Sequence, residues 1–94
     1  MLRENLYDLD QNGKKGDWCF LKDDTQIALR YGDDPFKGQV ILPVALEVMS
    51  GQPHWQWNGN RESPTLTPSI LIHAYPGWTE GWHGWLREGK LVTA

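Results

Sequence analysis

Any nucleophilic, acid–base or metal chemistry in this sequence has to come from a short roster. It comprises His54, His73 and His83, Ser50, Ser63 and Ser69, Cys19, and the doublets Asp23-Asp24 and Asp33-Asp34. A catalytic serine needs a base within hydrogen-bond reach, and one common setting is the strand-to-helix elbow marked by G-x-S-x-G. None of the three serines sits in that context, so no nucleophile stands out and no catalytic residue is assigned. A zinc site needs three or four ligands at fixed distances. The histidines show no short ligand spacing, and Glu80 and His83, three apart, lie in a glycine-rich stretch where that spacing means little. No metal and no other cofactor is expected. Cys19 stands inside the apolar run Trp18-Cys19-Phe20-Leu21 and reads as a small core residue. Both aspartate doublets fall where turns are expected, so solvated turn residues are a plainer account than a general acid–base pair.

The feature with functional promise is aromatic. Five of the six tryptophans, Trp55, Trp57, Trp78, Trp82 and Trp85, crowd into one third of the chain. Indoles stack on nucleobases or surround cations. If residues 82–86 form a strand, Trp82 and Gly84 face one way and His83 and Trp85 the other. Thr65, Thr67 and Ser69 likewise alternate on one face, opposite Leu66 and Ile70, with Asn58, Asn60 and Arg61 nearby in sequence. Polar groups beside aromatic walls are what a small-ligand pocket requires, and Arg61 and Arg87 are available for a phosphate. The predicted ligand- or partner-binding set is therefore Trp78, Trp82, His83, Trp85, Asn58, Arg61, Thr65, Thr67 and Arg87. The loop Pro76–Gly84 and the turn Asn58–Arg61 would flank a shallow site. Trp55 and Trp57 are assigned to the core.

Composition bounds the possibilities further. The 94 residues are one domain's worth of chain, and a domain of this size buries only about two-thirds of its unfolded surface. Large indole rings offset that, each removing roughly 150–250 Å² from water. No stretch approaches the ~20 apolar residues of a membrane span, and Met1–Asp10 carries three acids and no apolar core, unlike a signal peptide. One cysteine excludes an intrachain disulfide and suits a reducing, cytoplasmic setting. Residues 1–50 hold nine acids and six bases and residues 51–94 three of each, so the net charge of −3 sits in the first half. No basic footprint for duplex nucleic acid is present.

The elements that would position these residues are short strands. Residues 1–16 read as an irregular arm whose Leu2, Leu6 and Leu9 lean on the core, and residues 17–94 as a single β-rich domain. Trp18–Leu21 and Gln26–Tyr31 have strand length, with Lys22–Thr25 as a hairpin turn. Gln39–Leu42 is a buried strand. Pro43–Ser50 is open to two readings: a short helix, with Pro43 at its first position and Gly51 past its end, or an alternating strand. The helix is weighted slightly higher because Ala45, Leu46, Glu47 and Met49 are good helix formers. Trp55-Gln56-Trp57 puts both indoles on one face, and Asn58-Gly59 signals a type I′ turn. Thr65–Ile72 is extended but interrupted before Ser69, because Pro64 and Pro68 remove backbone donors. Trp82–Leu86 and Lys90–Val92 form a hairpin around Arg87-Glu88-Gly89. The prediction is a mainly β fold, a small β roll or barrel-like antiparallel sheet of six or seven strands with at most one short helix.

Three ordered runs carry a family likeness: Trp55-Gln56-Trp57-Asn58-Gly59-Asn60, Pro64-Thr65-Leu66-Thr67-Pro68-Ser69-Ile70, and His83-Gly84-Trp85-Leu86-Arg87-Glu88-Gly89. The sequence resembles small phage and prophage proteins of unknown function, some carrying the name ammonia monooxygenase, over about residues 38–92. Many of them place a cysteine-rich segment before the first strand of the pattern and a cysteine directly before the histidine, which implies a metal. Here those positions read Asp34-Pro35-Phe36-Lys37-Gly38-Gln39 and Trp82, so the implied metal site has lost its thiolates. The resemblance implies a phage setting. The functional expectation is a non-enzymatic accessory protein that binds a host anti-phage target or sequesters a small nucleotide-like ligand, with no direct binding to duplex DNA or to membranes and with a homodimer possible. The alternatives are a divergent metal-dependent enzyme and a structural, homo-oligomeric β module.

Overall fold

Strands Trp18–Leu21 (β1) and Gln26–Arg30 (β2) are buried almost continuously rather than at alternate residues. Continuous burial needs cover on both faces, and the fold supplies it in two ways. Trp18, Phe20, Ile27 and Leu29 point into the main core. Cys19 and Ala28 point the other way and are covered by Leu9 of a short helix, Leu6–Asn12 (α1), with Leu6 and Leu21 at the margin. In the computed structural model, which describes residues 1–48 and 50–94, the stretch expected to be an irregular arm thus contains the one helix of the described residues. Its sequence carries the needed signals. The Asn5 side chain accepts from the Asp8 N–H at 2.8 Å as N-cap, and Asp8 adds an acid to the first turn. At the other end Arg30, 2% exposed, donates to the carbonyls of Leu9 and Gly13. A buried cation there gives the Leu9 carbonyl, which already accepts from the Gly13 N–H, a second donor and meets the negative end of the helix dipole.

The remaining strands are Gln39–Ala45 (β3), Trp55–Trp57 (β4), Leu66–Thr67 (β5), Ile70–Ile72 (β6), Trp82–Arg87 (β7) and Lys90–Thr93 (β8). They form a five-stranded sheet in the order β1-β2-β3-β4-β5 and a three-stranded sheet in the order β6-β7-β8. All pairings are antiparallel except β3 with β4. The mainly β expectation with a single short helix holds. Leu42, Val44, Trp57 and Leu66 from the first sheet meet Ile70 and Leu86 from the second in one core. The chain changes sheet at Pro68-Ser69, where Pro68 has no donor to offer a ladder.

Two local expectations are corrected. Pro43–Ser50 is not a helix: Pro43, Val44 and Ala45 continue β3, and Leu46 and Glu47 lie in a bend, while Met49 lies outside the described residues. Tertiary pairing overrides helix propensity here. The Val44 N–H donates to the Thr25 carbonyl at 2.9 Å, and Leu42 and Val44 alternate into the core. Asn58-Gly59 does not close a two-residue turn either, because β4 reaches β5 through residues 58–65. The Asn58 side chain organises that loop, accepting from the N–H groups of Asn60 and Thr65 and donating to the Ser63 carbonyl. The two-residue turn occurs instead at Glu88-Gly89, between β7 and β8. Both residues have positive φ (48° and 75°), as a type I′ hairpin demands.

Cys19 is fully buried, and burial pushes its thiol up to about 11, with the charges of Asp10 and Asp8 adding to the effect. At pH 8 only about one thiol in a thousand is then the reactive thiolate. Native protein is expected to leave a thiol reagent such as dithionitrobenzoate unreacted over minutes, with one equivalent consumed on denaturation. Rapid reaction of the native protein would contradict this packing.

Candidate active site

The hairpin β6–β7 pairs Ile70 with Gly84, Leu71 with His83 and Ile72 with Trp82, and β7–β8 pairs Trp85 with Val92 and Arg87 with Lys90. Residues opposite one another in an antiparallel pair share a face. One face of the three-stranded sheet therefore carries Ile70, Leu86 and Leu91 into the core. The other carries Leu71, His83, Trp85, Val92, Arg87 and Lys90 outward. Ser69, two residues before Leu71, belongs to this outer row. There its Oγ lies 3.3 Å from Nε2 of His83. With the imidazole proton on Nδ1, the hydroxyl donates to Nε2. This is a serine hydroxyl beside a histidine base on an exposed sheet face.

Several contacts hold the pair in place. The Trp55 indole N–H donates to the Ser69 carbonyl at 3.3 Å, tying the serine's backbone to the five-stranded sheet. The Trp85 ring lies 5.9 Å from the His83 ring, tilted by 35°, and the Arg87 guanidinium sits 4.7 Å from the Trp85 ring centre on the far side of that row. Gly84, between them, faces inward, where a Cβ would stand 2.3 Å from the Val92 carbonyl oxygen and 2.5 Å from the Trp82 ring. Only glycine lets β7 lie this close to its neighbours while presenting His83 and Trp85 outward. Among the described residues no carboxylate is hydrogen-bonded to His83, and no group of three or more histidine, cysteine or acidic side chains could hold a metal.

The residues singled out from the sequence are distributed unevenly around this pair. His83, Trp85 and Arg87 stand in the same row. Asn58, Thr65 and Thr67 line a small cleft of about 160 Å³ with Gln56 and Trp57. Thr65 Oγ1 also accepts from the Glu88 N–H, so it fastens the β7–β8 turn. Arg61 pairs with Asp24 in the β1–β2 turn and covers the Phe20 ring, while its carbonyl accepts from the Trp18 indole. It is a brace within the five-stranded sheet. Trp82 faces inward, stacks on Tyr31 at 5.9 Å and donates to Thr93 Oγ1, so it joins the two sheets and is not on the His83 face. Trp78, 78% exposed, sits in the loop between β6 and β7. The loop Pro76–Gly84 leads from β6 into β7 of the three-stranded sheet, and the turn Asn58–Arg61 lies between β4 and β5 of the five-stranded sheet.

The residue sequence reasoning passed over is Ser69. It lacks an elbow motif, and its partner is fourteen positions away on the next strand. The usable signal was its place on the outward face with Thr65 and Thr67. A cleft of about 450 Å³ lies elsewhere, between α1 and β3, lined by Leu6, Asp10, Pro35, Phe36 and Ile41 among others. It contains no nucleophile, and Asp10 there already accepts from Gln39 at 2.6 Å. The Ser69–His83 pair is the better candidate for chemistry.

The comparisons bear on the same segment. A family model described as BubE, bacterial ubiquitination-like system serine protease, matches residues 37–94. That span holds β3 to β8 and with them both Ser69 and His83. No curated protein and no solved structure matches the chain. No helix among the described residues is long and apolar enough to cross a membrane. The family is named for an enzyme, which overturns the expectation of a non-enzymatic binding protein.

Proposed function

The chain belongs to the BubE family, described as the serine protease of a bacterial ubiquitination-like system, and on that premise we propose that it is a serine hydrolase with Ser69 as nucleophile and His83 as general base. The observation that carries this reading is the 3.3 Å approach of Ser69 Oγ to His83 Nε2 on an accessible face. A separation slightly beyond an ideal hydrogen bond is ordinary for a catalytic pair without substrate, since such contacts tighten when substrate binds.

Ser69 Oγ attacks the carbonyl carbon of a peptide or ester bond while its proton passes to Nε2 of His83. As the tetrahedral intermediate collapses, the bond to the leaving group breaks and the leaving nitrogen or oxygen takes that proton. The acyl group is then carried on Ser69 Oγ. Water attacks it, His83 accepts the water's proton and returns it to Ser69 Oγ, and the acid product leaves. The imidazole is placed by its strand and by the Trp85 ring, and among the described residues no carboxylate is hydrogen-bonded to it.

A fluorophosphonate reagent, which phosphonylates activated serines, tests the assignment. Wild-type protein should gain one adduct, located by peptide mass spectrometry on the segment containing Ser69, and Ser69→Ala should gain none. Adducts on Ser50 or Ser63, or none on the folded wild type, would sink it.

A further inference from the structure

Arg87 and Lys90 face each other directly across the β7–β8 ladder, on the same outward face as His83 and Trp85. Like charges placed opposite one another destabilise a strand pair. The ion pairs of the described residues are those of the amino terminus with Asp17, Arg3 with Asp8 and Asp17, and Arg61 with Asp24. Neither Arg87 nor Lys90 is among them, in a chain with twelve acids and nine bases. The nearest acids in sequence, Glu88 in the turn and Glu80, are not paired with them. Arg87 is also not loose in solvent. Its guanidinium is held over the Trp85 ring at 4.7 Å, and that ring lies 5.9 Å from the His83 imidazole. A fixed positive charge thus stands one aromatic ring away from the proposed base. The surface between and beside them is apolar, with Leu71 and Val92 both exposed.

We propose that Arg87 and Lys90 form an anion-binding subsite for the Ser69–His83 pair, selecting polypeptide substrates that carry an acidic side chain close to the scissile bond. The inference rests on the reading of Ser69 and His83 as nucleophile and base. An extended substrate lying along the outer face covers about 3.3 Å per residue. The acidic side chain therefore belongs roughly two or three residues from the bond that Ser69 attacks. Trp85 and Val92 provide the apolar floor for the intervening residues. Arg87 supplies the donors, because a planar guanidinium already oriented by an aromatic face meets a carboxylate with two parallel N–H groups. Lys90 adds a second, mobile charge.

The test uses the full chain and three internally quenched peptide pools with the same randomised apolar positions, differing only in carrying Glu, Gln or Lys within three residues of the cleavable bond. Fluorophosphonate labelling of Ser69 is measured on the same preparations. The expected result is a kcat/KM about 1.5- to fivefold higher for the Glu pool than for the Gln pool, the scale of a solvent-accessible charge pair, with the Lys pool lowest. The preference should shrink as sodium chloride rises from 0.05 to 0.5 M. Arg87→Gln should bring the Glu-to-Gln ratio towards one, and Arg87→Lys should restore part of it. Because the readout is a ratio within one preparation, loss of some folded protein does not distort it. Equal turnover of the three pools by enzyme that labels at Ser69, or a ratio unchanged in Arg87→Gln, overturns the subsite and leaves the dyad standing. Failure to label Ser69 overturns both.

Discussion

Replacing His83 by alanine should lower the rate of hydrolysis by about 10²–10⁴-fold, the range a positioned general base contributes, while leaving the fold intact. The structural half of that expectation follows from where His83 sits. It projects from the outer face of β7, is exposed, and reaches Ser69 Oγ and the Trp85 ring but nothing in the core. Removing it takes the proton acceptor from the nucleophile and deletes no core packing. Ser69→Ala should abolish turnover through the covalent route, and the double variant should be little worse than either single one, since the two residues act as a unit. Steady-state kinetics on an activated ester, with circular dichroism and thermal melts of each variant, would check this. A His83→Ala enzyme that keeps wild-type kcat would remove the histidine from the chemistry.

Replacing Trp57 by alanine should cost about 3–5 kcal/mol of stability, the usual range for truncating a buried aromatic residue. Trp57 is 6% exposed, its ring centre lies 4.7 Å from that of Phe20, and its indole N–H donates to the Asn60 carbonyl at 3.2 Å. It is paired with Leu66, on the strand that leads directly to Pro68 and Ser69. The cavity would thus open in the core shared by both sheets, and the 58–65 loop would lose an anchor. Small domains are stable by about 5–15 kcal/mol in all, so the variant should melt well below the wild type and lose activity on warming before chemistry is affected. Urea titration measures the difference. Trp78→Ala, at a residue 78% exposed, is the internal control and should shift stability little. Similar losses in both would mean that the exposed loop carries packing this structure does not show.

The strands and their facing were largely legible. Period-two alternation in Trp82–Leu86 set His83 and Trp85 on one side and Trp82 with Gly84 on the other, and β7 is built that way. The apolar runs at Trp18 and Gln26 are β1 and β2, and the break before Ser69 is real. α1 was also signalled, though indirectly. Trp18-Cys19-Phe20 and Ile27-Ala28-Leu29 are apolar at every position, and strands of that composition need a cover on both faces. The stretch that covers the second face contains the capping residue Asn5 and the spaced leucines Leu6 and Leu9. Pro43–Ser50 misled because helix propensity is a weak prior. A free ladder position beside β2 decides for strand, and no local pattern reports it.

What the sequence by itself determined is the β-rich class, the aromatic core, the alternation that sets Ser69 opposite Ile70 and His83 on one face with Trp85, and the lack of cysteines beyond Cys19. Only the tertiary structure decided that the serine and the histidine meet. Their contact depends on the register of β6 against β7 across the 73–81 connection, and a slip of one residue would turn His83 away from Ser69. Composition and spacing carry no measure of that register. Core packing of Ile70, Gly84 and Leu86 sets it, and the same packing aligns Arg87 and Lys90 on the face where the chemistry is proposed to occur.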